Sequence, residues 1–151
     1  MSVVNIERFS DARYEEVKQL VLGVLEEKGF EYDPVKDYDL DDITKYYHDN
    51  GGMFFTGSVD RKIIGTSAVR KIDSERCEIK RIYVCKEYRR RGYGRELFLH
   101  ALDFAKDHYL HITLMTDRSL TEAIALYKKY GFSVVRTDSL QKPYILMSHS
   151  K

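Results

Sequence analysis

Hydrophobic residues along the chain follow two spacings, and the changes between them divide it into predicted helices and strands. "VVNIERF" near the N-terminus alternates as a strand does. Ser10 then predicts the cap of a helix that Gly29 ends. The apolar face of that helix consists of Tyr14, Val17, Val21 and Val24.

A second, shorter helix is predicted after a loop around Pro34. Asp39 is in position to cap it, and Ile43, Tyr46 and Tyr47 follow. "NGG" at residues 50–52 predicts its end.

Between residues 53 and 85 the hydrophobic residues have the alternating spacing that is typical of strands. "MFFTGSV", "IIGTSAVRKI" and "CEIKRIYV" are separated by polar turns at residues 60–62 and 73–76. Short turns join antiparallel neighbours, so these segments predict an antiparallel meander of three strands.

The remainder alternates between helices and strands. A helix with an apolar stripe from Leu97 to Ala105 precedes the strand "HITLMT". Ser119 and Glu122 form a capping-box pattern before the next helix, and Gly131 predicts its left-handed end. "FSVVRT" and "KPYILMS" predict two more strands. We therefore expect one α+β domain over residues 1–151, with a mixed, mostly antiparallel sheet of about seven strands flanked by four helices.

Composition narrows the class of protein. A formal charge of +1 on 151 residues argues against a protein built to coat nucleic acid or an acidic membrane. The N-terminal residues show no leader pattern, and no apolar run approaches about 18 residues, so we expect a cytoplasmic protein without a membrane partner. Cys77 and Cys85 lie about 26 Å apart along one predicted strand, which predicts two reduced thiols.

Metal binding is not expected. The histidine spacings match no zinc motif, and packing or surface roles account for these side chains. They are His48, His100, His108, His111 and His149.

The clearest chemical signal is "EYRRRGYGREL" at residues 87–97, where arginines and two glycines open a helix. Helix N-termini with bare backbone bind phosphate-bearing anions. A dinucleotide fingerprint would need a third glycine where Leu97 stands, and a P-loop would need Lys-Ser or Lys-Thr where Arg95-Glu96 stand. A solvated loop tip is the alternative for such a charge run, but the coupling of strand, glycines and amphipathic helix favours a ligand.

"EIKRIYVCKEYRRRGYGREL" and "ALYKKYGF" at residues 125–132 resemble the acetyl-CoA-binding motif of the Gcn5-related N-acetyltransferase (GNAT) family. Arg89, Gly92 and Gly94 occupy its signature positions, and the resemblance in element order extends from about residue 3 to 148. It implies an acyl-CoA N-acyltransferase-like fold with acetyl-CoA as the cofactor. The implied cofactor-binding residues are Ile82, Tyr83, Val84, Arg89, Arg90, Arg91, Gly92, Tyr93, Gly94 and Arg95.

The resemblance also implies two proton-transfer residues. Tyr127 stands where family members place a tyrosine that acts as general acid on the leaving sulfur. Glu78 stands at the spacing of a glutamate that acts as general base on the amine, usually through water. Core packing at helical spacing is the alternative for Tyr127, and an ion pair with Lys80 or Arg81 is the alternative for Glu78. Leu120 departs from the family, which often has asparagine there, so one polar cofactor contact is in doubt.

The predicted activity is transfer of an acetyl group to a primary amine of a small molecule, amino acid, peptide or protein. In the family the acceptor enters near the first two helices, here residues 30–50. Acidic side chains in that segment either attract a cationic amine or serve in capping and solubility. They are Glu31, Asp33, Asp37, Asp39, Asp41 and Asp42.

Two other functions are alternatives. One is a non-catalytic acyl-CoA sensor, and the other is a nucleic-acid-binding module, which the near-neutral charge disfavours. Family members often dimerise through edge strands, and "KPYILMS" is the predicted edge for a homodimer.

Overall fold

A computed structural model describes residues 3–137 and 144–150 and contains a mixed sheet in the order β1-β2-β3-β4-β5-β7-β6. The strands are β1 (Asn5–Arg8), β2 (Met53–Val59), β3 (Lys62–Lys71), β4 (Arg76–Val84), β5 (His111–Asp117), β6 (Phe132–Thr137) and β7 (Tyr144–His149). The helices are α1 (Tyr14–Glu27), α2 (Ile43–Tyr46), α3 (Tyr93–His108) and α4 (Thr121–Lys129). The predicted fold class is confirmed.

The direction of each strand follows from the connection before it. β2, β3 and β4 are joined by short turns and pair antiparallel, as the meander predicted. β4 and β5 are joined through α3 and pair parallel, because a crossover helix returns the chain to the same end of the sheet. The other pairings are antiparallel.

Each face of the sheet has its own hydrophobic core. On one face α1 and α2 cover a cluster that includes Val17, Val21, Leu40, Ile43, Tyr47 and Phe54. On the other face α3 and α4 cover a cluster that includes Ile79, Phe98, Leu102, Leu114, Tyr127 and Met147. The site described below lies where the sheet opens between these two cores.

Glycine signals placed the C-terminal ends of α1 and α4 well, Ser10 caps a short 3₁₀ helix (Asp11–Arg13) that leads into α1 rather than α1 itself, and two other capping predictions were wrong. The Ser10 hydroxyl accepts a hydrogen bond from the Ala12 N–H at 3.3 Å, and Gly29 has φ +81°. Gly131 has φ +98° after α4.

The first wrong cap is Asp39. Asp42 caps α2 instead, its carboxylate accepting from the Lys45 N–H at 3.1 Å. Asp39 is fully buried and bound elsewhere. The second is the capping box. α4 begins after Leu120 without a side-chain cap, because the Ser119 hydroxyl donates to Asp117 Oδ1 at 2.8 Å.

The predicted edge strand was also wrong. β7 lies between β5 and β6, so the outer strands of the sheet are β1 and β6. Ile145 and Met147 of β7 are buried, as an interior strand requires, whereas β6 is exposed after Phe132. Residues 142 and 143 of "KPYILMS" lie outside the described residues.

Cys77 is buried and Cys85 is half-buried, and neither forms a disulfide in the described parts of the chain. Across residues 3–137 and 144–150, the helices are too short or too polar to cross a bilayer.

Candidate active site

The site begins where β4 and β5 separate. Their parallel pairing runs from Arg76 opposite His111 to Ile79 opposite Leu114 and then stops. β4 continues to Val84, while β5 continues to Asp117 in pairing with β7 only. The backbone of residues 80–84 therefore borders an open wedge in the middle of the sheet, with hydrogen-bonding groups that a ligand can use.

A β-bulge lies at the start of this wedge. Thr66 pairs with Tyr83 and Ala68 with Lys80, so Ser67 alone is opposite both Arg81 and Ile82. Arg81 has φ +57°, and the Thr66 hydroxyl donates to its carbonyl oxygen at 2.7 Å. Bulges increase local twist and redirect side chains, which accounts for the departure of β4 from β5 at this point.

The Arg81 side chain is buried in an acidic pocket. Its Nη2 lies 2.7 Å from Asp39 Oδ1 and 3.0 Å from Asp37 Oδ1. The Tyr47 hydroxyl donates to Asp39 Oδ2 at 2.5 Å. Burial raises the pKa of Asp39, but hydrogen bonding and charge from Arg81 outweigh it, so the pKa lies below its usual value. The network fastens the chain between α1 and α2 to the bulge.

The wedge opens into a cleft of about 430 Å³ between the α1 side of the sheet and the start of α4. Glu78 and Tyr127, the two predicted proton-transfer residues, both line it. Ile82 and Tyr83, two of the predicted cofactor residues, line it as well. The fold thus brings together residues that the sequence places on β4 and α4.

Tyr127 lies on α4 and is 7% exposed, packed on Phe98 with ring centroids 5.0 Å apart. Burial alone raises the pKa of Tyr127 to about 12. The phenol therefore stays protonated at neutral pH. Tyr127 therefore packs in the core and also lines the cleft.

Glu78 lies on β4 with a quarter of its side chain exposed. Lys80 Nζ lies 3.9 Å from Glu78 Oε1, so the predicted ion-pair partner on this strand is Lys80. Arg81, the other partner considered, binds Asp37 and Asp39 instead. The loose contact with Lys80 leaves the carboxylate facing the cleft.

The glycine turn has the geometry of an anion site. Arg90 and Gly92 have φ +63° and +85°, and the first α3 hydrogen bond runs from Glu96 N–H to Gly92 O at 3.2 Å. The N–H groups of Gly94 and Arg95 precede this bond and are not used by the helix ladder. The space beside the Gly92 α-carbon is open for 4 Å. Phosphate oxygens can therefore reach backbone N–H groups here.

Side chains around this turn are largely directed at the protein itself. Arg89 Nε donates to the Val84 carbonyl at 2.8 Å, and its Nη1 lies 2.9 Å from a Glu27 oxygen. Arg95 donates to the Tyr130 hydroxyl at 2.9 Å.

The remaining predicted side chains of this region differ in exposure. Arg91 lies over the Tyr88 ring, with 5.4 Å from the guanidinium carbon to the ring centroid. Tyr93 is buried beside Val59 and Ile64, so it can meet a ligand only through its backbone. Val84 packs against the same cluster.

Most acidic side chains of residues 31–42 bind other groups of the protein. Asp41 accepts from the Tyr32 hydroxyl at 2.7 Å, and Asp33 accepts from the Val35 N–H at 2.8 Å. With Asp37 and Asp39 held by Arg81 and Asp42 capping α2, each of these carboxylates has a structural partner. Glu31, Asp33 and Asp37 still line the cleft.

Four tyrosines between residues 32 and 47 make contacts within the protein. Tyr47 is buried on Asp39, Tyr32 binds Asp41, and Tyr38 and Tyr46 pack edge to face with centroids 5.0 Å apart.

Sequence reasoning missed the Arg81 network, although a signal was present. Cys77, Ile79 and Arg81 alternate along β4, which predicts that a charged residue is buried, although the bulge turns Arg81 away from the core of Cys77 and Ile79 and toward Asp39. A charge in such a position requires a buried partner. Among the described residues, no group of three histidine, cysteine or acidic side chains is arranged to hold a metal ion.

Known proteins are similar to this chain in sequence and in fold. The model of the acetyltransferase (GNAT) family matches residues 20–132. Human N-acetyltransferase 8 is 31% identical over 101 residues, covering 62% of this chain and 44% of that protein. The uncharacterized N-acetyltransferase YjgM of Escherichia coli (strain K12) is 27% identical over 114 residues, covering 73% of this chain and 66% of that protein. The chain thus spans about half to two thirds of these relatives.

Solved structures agree on the fold. A GNAT-family acetyltransferase of Staphylococcus aureus Mu50 has a TM-score of 0.83 at 21% identity, over 97% of this chain and 98% of that one. The PaiA N-acetyltransferase of Thermoplasma acidophilum, solved in complex with coenzyme A, has a TM-score of 0.75 at 19% identity, over 99% of each chain. The match of the family model over residues 20–132, together with this fold, shows that the chain belongs to the GNAT family of acetyltransferases.

Proposed function

We propose that the protein is an acetyl-CoA-dependent N-acetyltransferase that acetylates a primary amine by direct attack. One observation carries the proposal: Glu78 and Tyr127 line the same cleft that opens where β4 leaves β5. A base for the amine and an acid for the leaving sulfur are the two proton-transfer groups that this reaction needs. Membership of the GNAT family supports the same assignment.

The residues around the wedge fit coenzyme A. The backbone of residues 82–84, unpaired toward β5, offers N–H and C=O groups to the amides of the pantetheine arm. The N–H groups of residues 90–95 and the open space beside Gly92 suit the pyrophosphate. Arg90 and Arg91 add positive charge there. When bound, acetyl-CoA supplies an acetyl thioester, which is activated toward attack by an amine.

Glu78 removes a proton from the acceptor. An ammonium group with a pKa of about 10.4 is almost fully protonated at neutral pH and has no lone pair with which to attack. Glu78 faces the cleft and takes this proton, directly or through one water. The amine nitrogen would then bond to the thioester carbonyl carbon as the carbon–sulfur bond breaks, and the second excess proton on nitrogen would leave to solvent.

Tyr127 stabilises the departing sulfur. With a pKa raised to about 12, its hydroxyl is a weaker acid than a thiol in water, whose pKa is about 8.5. The burial that raises the pKa of Tyr127 also penalises a thiolate in the same cleft, which brings the two values closer. Tyr127 therefore donates a hydrogen bond as charge develops and passes its proton to sulfur, to be replaced from solvent.

A direct test combines binding and turnover in one preparation. Calorimetric titration with acetyl-CoA measures cofactor binding, and thiol release is then followed against a panel of amines, amino acids and peptides. Binding with amine-dependent thiol release is the expected result. Binding without release from any acceptor would favour the acyl-CoA sensor, and absence of binding would contradict the cofactor assignment.

A cytoplasmic location and a homodimer stay predictions. A dimer built on a sheet edge would use β1 or β6, since β7 is interior.

A further inference from the structure

We propose that the acceptor is a free α-amino acid with a large apolar side chain, its carboxylate bound by Lys28 and its side chain packed on Phe30, Met115 and Leu120. The inference rests on the proposed function, because it names the acceptor of the same cleft. We call Phe30, Met115 and Leu120 the apolar rim.

The apolar rim groups three exposed hydrophobic side chains around one cleft. Phe30, Met115 and Leu120 are 49%, 46% and 43% exposed, and all three line the cleft. Large apolar side chains left half-exposed around one concavity mark a place that a ligand covers. Leu120, which stands where the family resemblance leads us to expect a polar asparagine, adds an apolar side chain to the wall of this cleft.

The rim faces the acceptor side of the sheet. Leu114 belongs to the core under α3 and α4, and successive side chains of a strand point to opposite faces, so Met115 points toward the α1 side. Phe30 follows the end of α1. The anion site at the start of α3 lies beyond the other end of the wedge. The rim is therefore placed for the acceptor rather than for the phosphates.

Lys28 supplies a cation beside this rim. It lines the cleft, and its Nζ lies 5.4 Å from the centroid of the Tyr83 ring. Within the described residues it makes no ion pair closer than 4.0 Å. Burial and the positive charge of Arg89 lower the pKa of Lys28 by more than the negative charges of Asp117 and Glu27 raise it, so an anion in direct contact with Nζ would be favourable. Lys80, by contrast, is already beside Glu78.

These groups define a three-point site. The α-amine meets Glu78, the carboxylate meets Lys28, and the side chain meets the apolar rim. A peptide N-terminus has an amide in place of the carboxylate and loses the Lys28 contact. The site therefore favours a free amino acid over a peptide and a large apolar side chain over a small one.

The test compares three acceptors by kcat/KM with acetyl-CoA: L-phenylalanine, L-phenylalaninamide and L-alanine. We expect the value for phenylalanine to exceed each of the other two by about tenfold or more, the scale of one charge-assisted hydrogen bond or of a few buried methylenes.

Two variants assign the preference to residues. Lys28→Gln should lower kcat/KM for phenylalanine by about tenfold and leave phenylalaninamide unchanged. Lys18→Gln is its matched control, because Lys18 also lies over a tyrosine ring, that of Tyr14, but outside the cleft. Leu120→Asn should lower kcat/KM for phenylalanine and leave kcat/KM for alanine unchanged. Its control is Ile72→Asn, which removes an exposed apolar side chain from the β3–β4 turn.

Several results would overturn the inference while leaving the enzyme assignment intact. Equal use of phenylalanine and phenylalaninamide excludes carboxylate recognition. If Leu120→Asn alters the preference among acetyl-, butanoyl- and hexanoyl-CoA but not the ratio of phenylalanine to alanine, the rim holds the acyl chain instead. Failure to bind acetyl-CoA, or to release thiol with any amine, would contradict the proposed function itself.

Discussion

Arg81 and Asp39 form a buried ion pair, with guanidinium Nη2 2.7 Å from Asp39 Oδ1 and Nε 3.1 Å from Oδ2. The pair joins the β4 bulge to the segment that precedes α2. Asp39 is fully buried and the Arg81 side chain is 5% exposed, so neither charge can turn to water if the other is lost.

Arg81→Gln should therefore destabilise the fold by about 3–5 kcal/mol, because it leaves the Asp39 carboxylate buried without its cation. Urea unfolding measures the loss. Arg76→Gln is the control, since the Arg76–Asp73 pair is exposed at 3.7 Å, and no measurable change is expected there. Equal stability of the two variants would contradict the structural role of the network.

Tyr127→Phe should keep acetyl-CoA affinity and lower kcat by about 10²-fold or more, because it removes the donor to the leaving sulfur. Calorimetry and thiol release on one preparation separate the two effects. Tyr14→Phe serves as the control. It removes a hydroxyl that donates to the Leu40 carbonyl at 2.6 Å, outside the cleft. Turnover of the Tyr127 variant equal to that of the wild type would end the assigned role.

The raised pKa of Tyr127 also predicts a loss of stability in alkali. Below a pH of about 10 the phenol is protonated in both the folded and the unfolded chain, and it adds no pH dependence. From there to about 12, its pKa in the folded protein, the unfolded chain loses the proton first, so stability falls as pH rises. The two-unit difference corresponds to about 3 kcal/mol.

Unfolding free energies measured across this alkaline range check the expectation. Tyr127→Phe should have a shallower decline with pH than the wild-type protein. Identical slopes would mean that the buried phenol does not remain protonated.

Glu78→Gln should lower kcat by about 10²-fold at neutral pH, and the deficit should shrink as pH approaches the pKa of the acceptor amine. At high pH the amine no longer needs a base. Lys80→Gln tests the alternative, since it removes the neighbour 3.9 Å from Glu78 but keeps the carboxylate. A deficit that is constant with pH, or one that Lys80→Gln reproduces, would argue that the residue acts through the ion pair.

Gly92→Val should weaken acetyl-CoA binding by at least tenfold, because a side chain enters the space predicted for phosphate and strains a residue at φ +85°. Gly51→Val separates the two causes. Gly51 also has a positive φ, +84°, but lies just before β2 and outside the cleft. Affinity should therefore change only in the Gly92 variant, and an equal loss in both would attribute the effect to strain.

Local patterns predicted the elements of this fold but not all of their ends. Alternation and turn chemistry identified β2, β3 and β4, because each is specified by neighbours in sequence. The cap of α2 was assigned to Asp39 because nothing local shows that Arg81, 42 residues later, binds that carboxylate. Likewise, the interior position of β7 depends on pairing with β5, which is a long-range contact.

The candidate site was predictable to the extent that family motifs cover it. Glu78, Tyr127 and the glycine turn are marked by spacing along the chain. The apolar rim is not, because Phe30, Met115 and Leu120 come from three separate segments and become neighbours of one cleft only when the sheet forms.

The separation of β4 from β5 also affects amide hydrogen exchange and association with other chains in the apoprotein. An open sheet normally has two free edges, and the wedge adds an internal third beside residues 80–84. Amide hydrogens along that border should exchange rapidly with solvent in the apoprotein and slowly once coenzyme A completes the sheet. Under the proposed function, coenzyme A would fill a gap in the sheet as well as react, and its depletion would leave the backbone of residues 80–84 open to pairing with other extended chains.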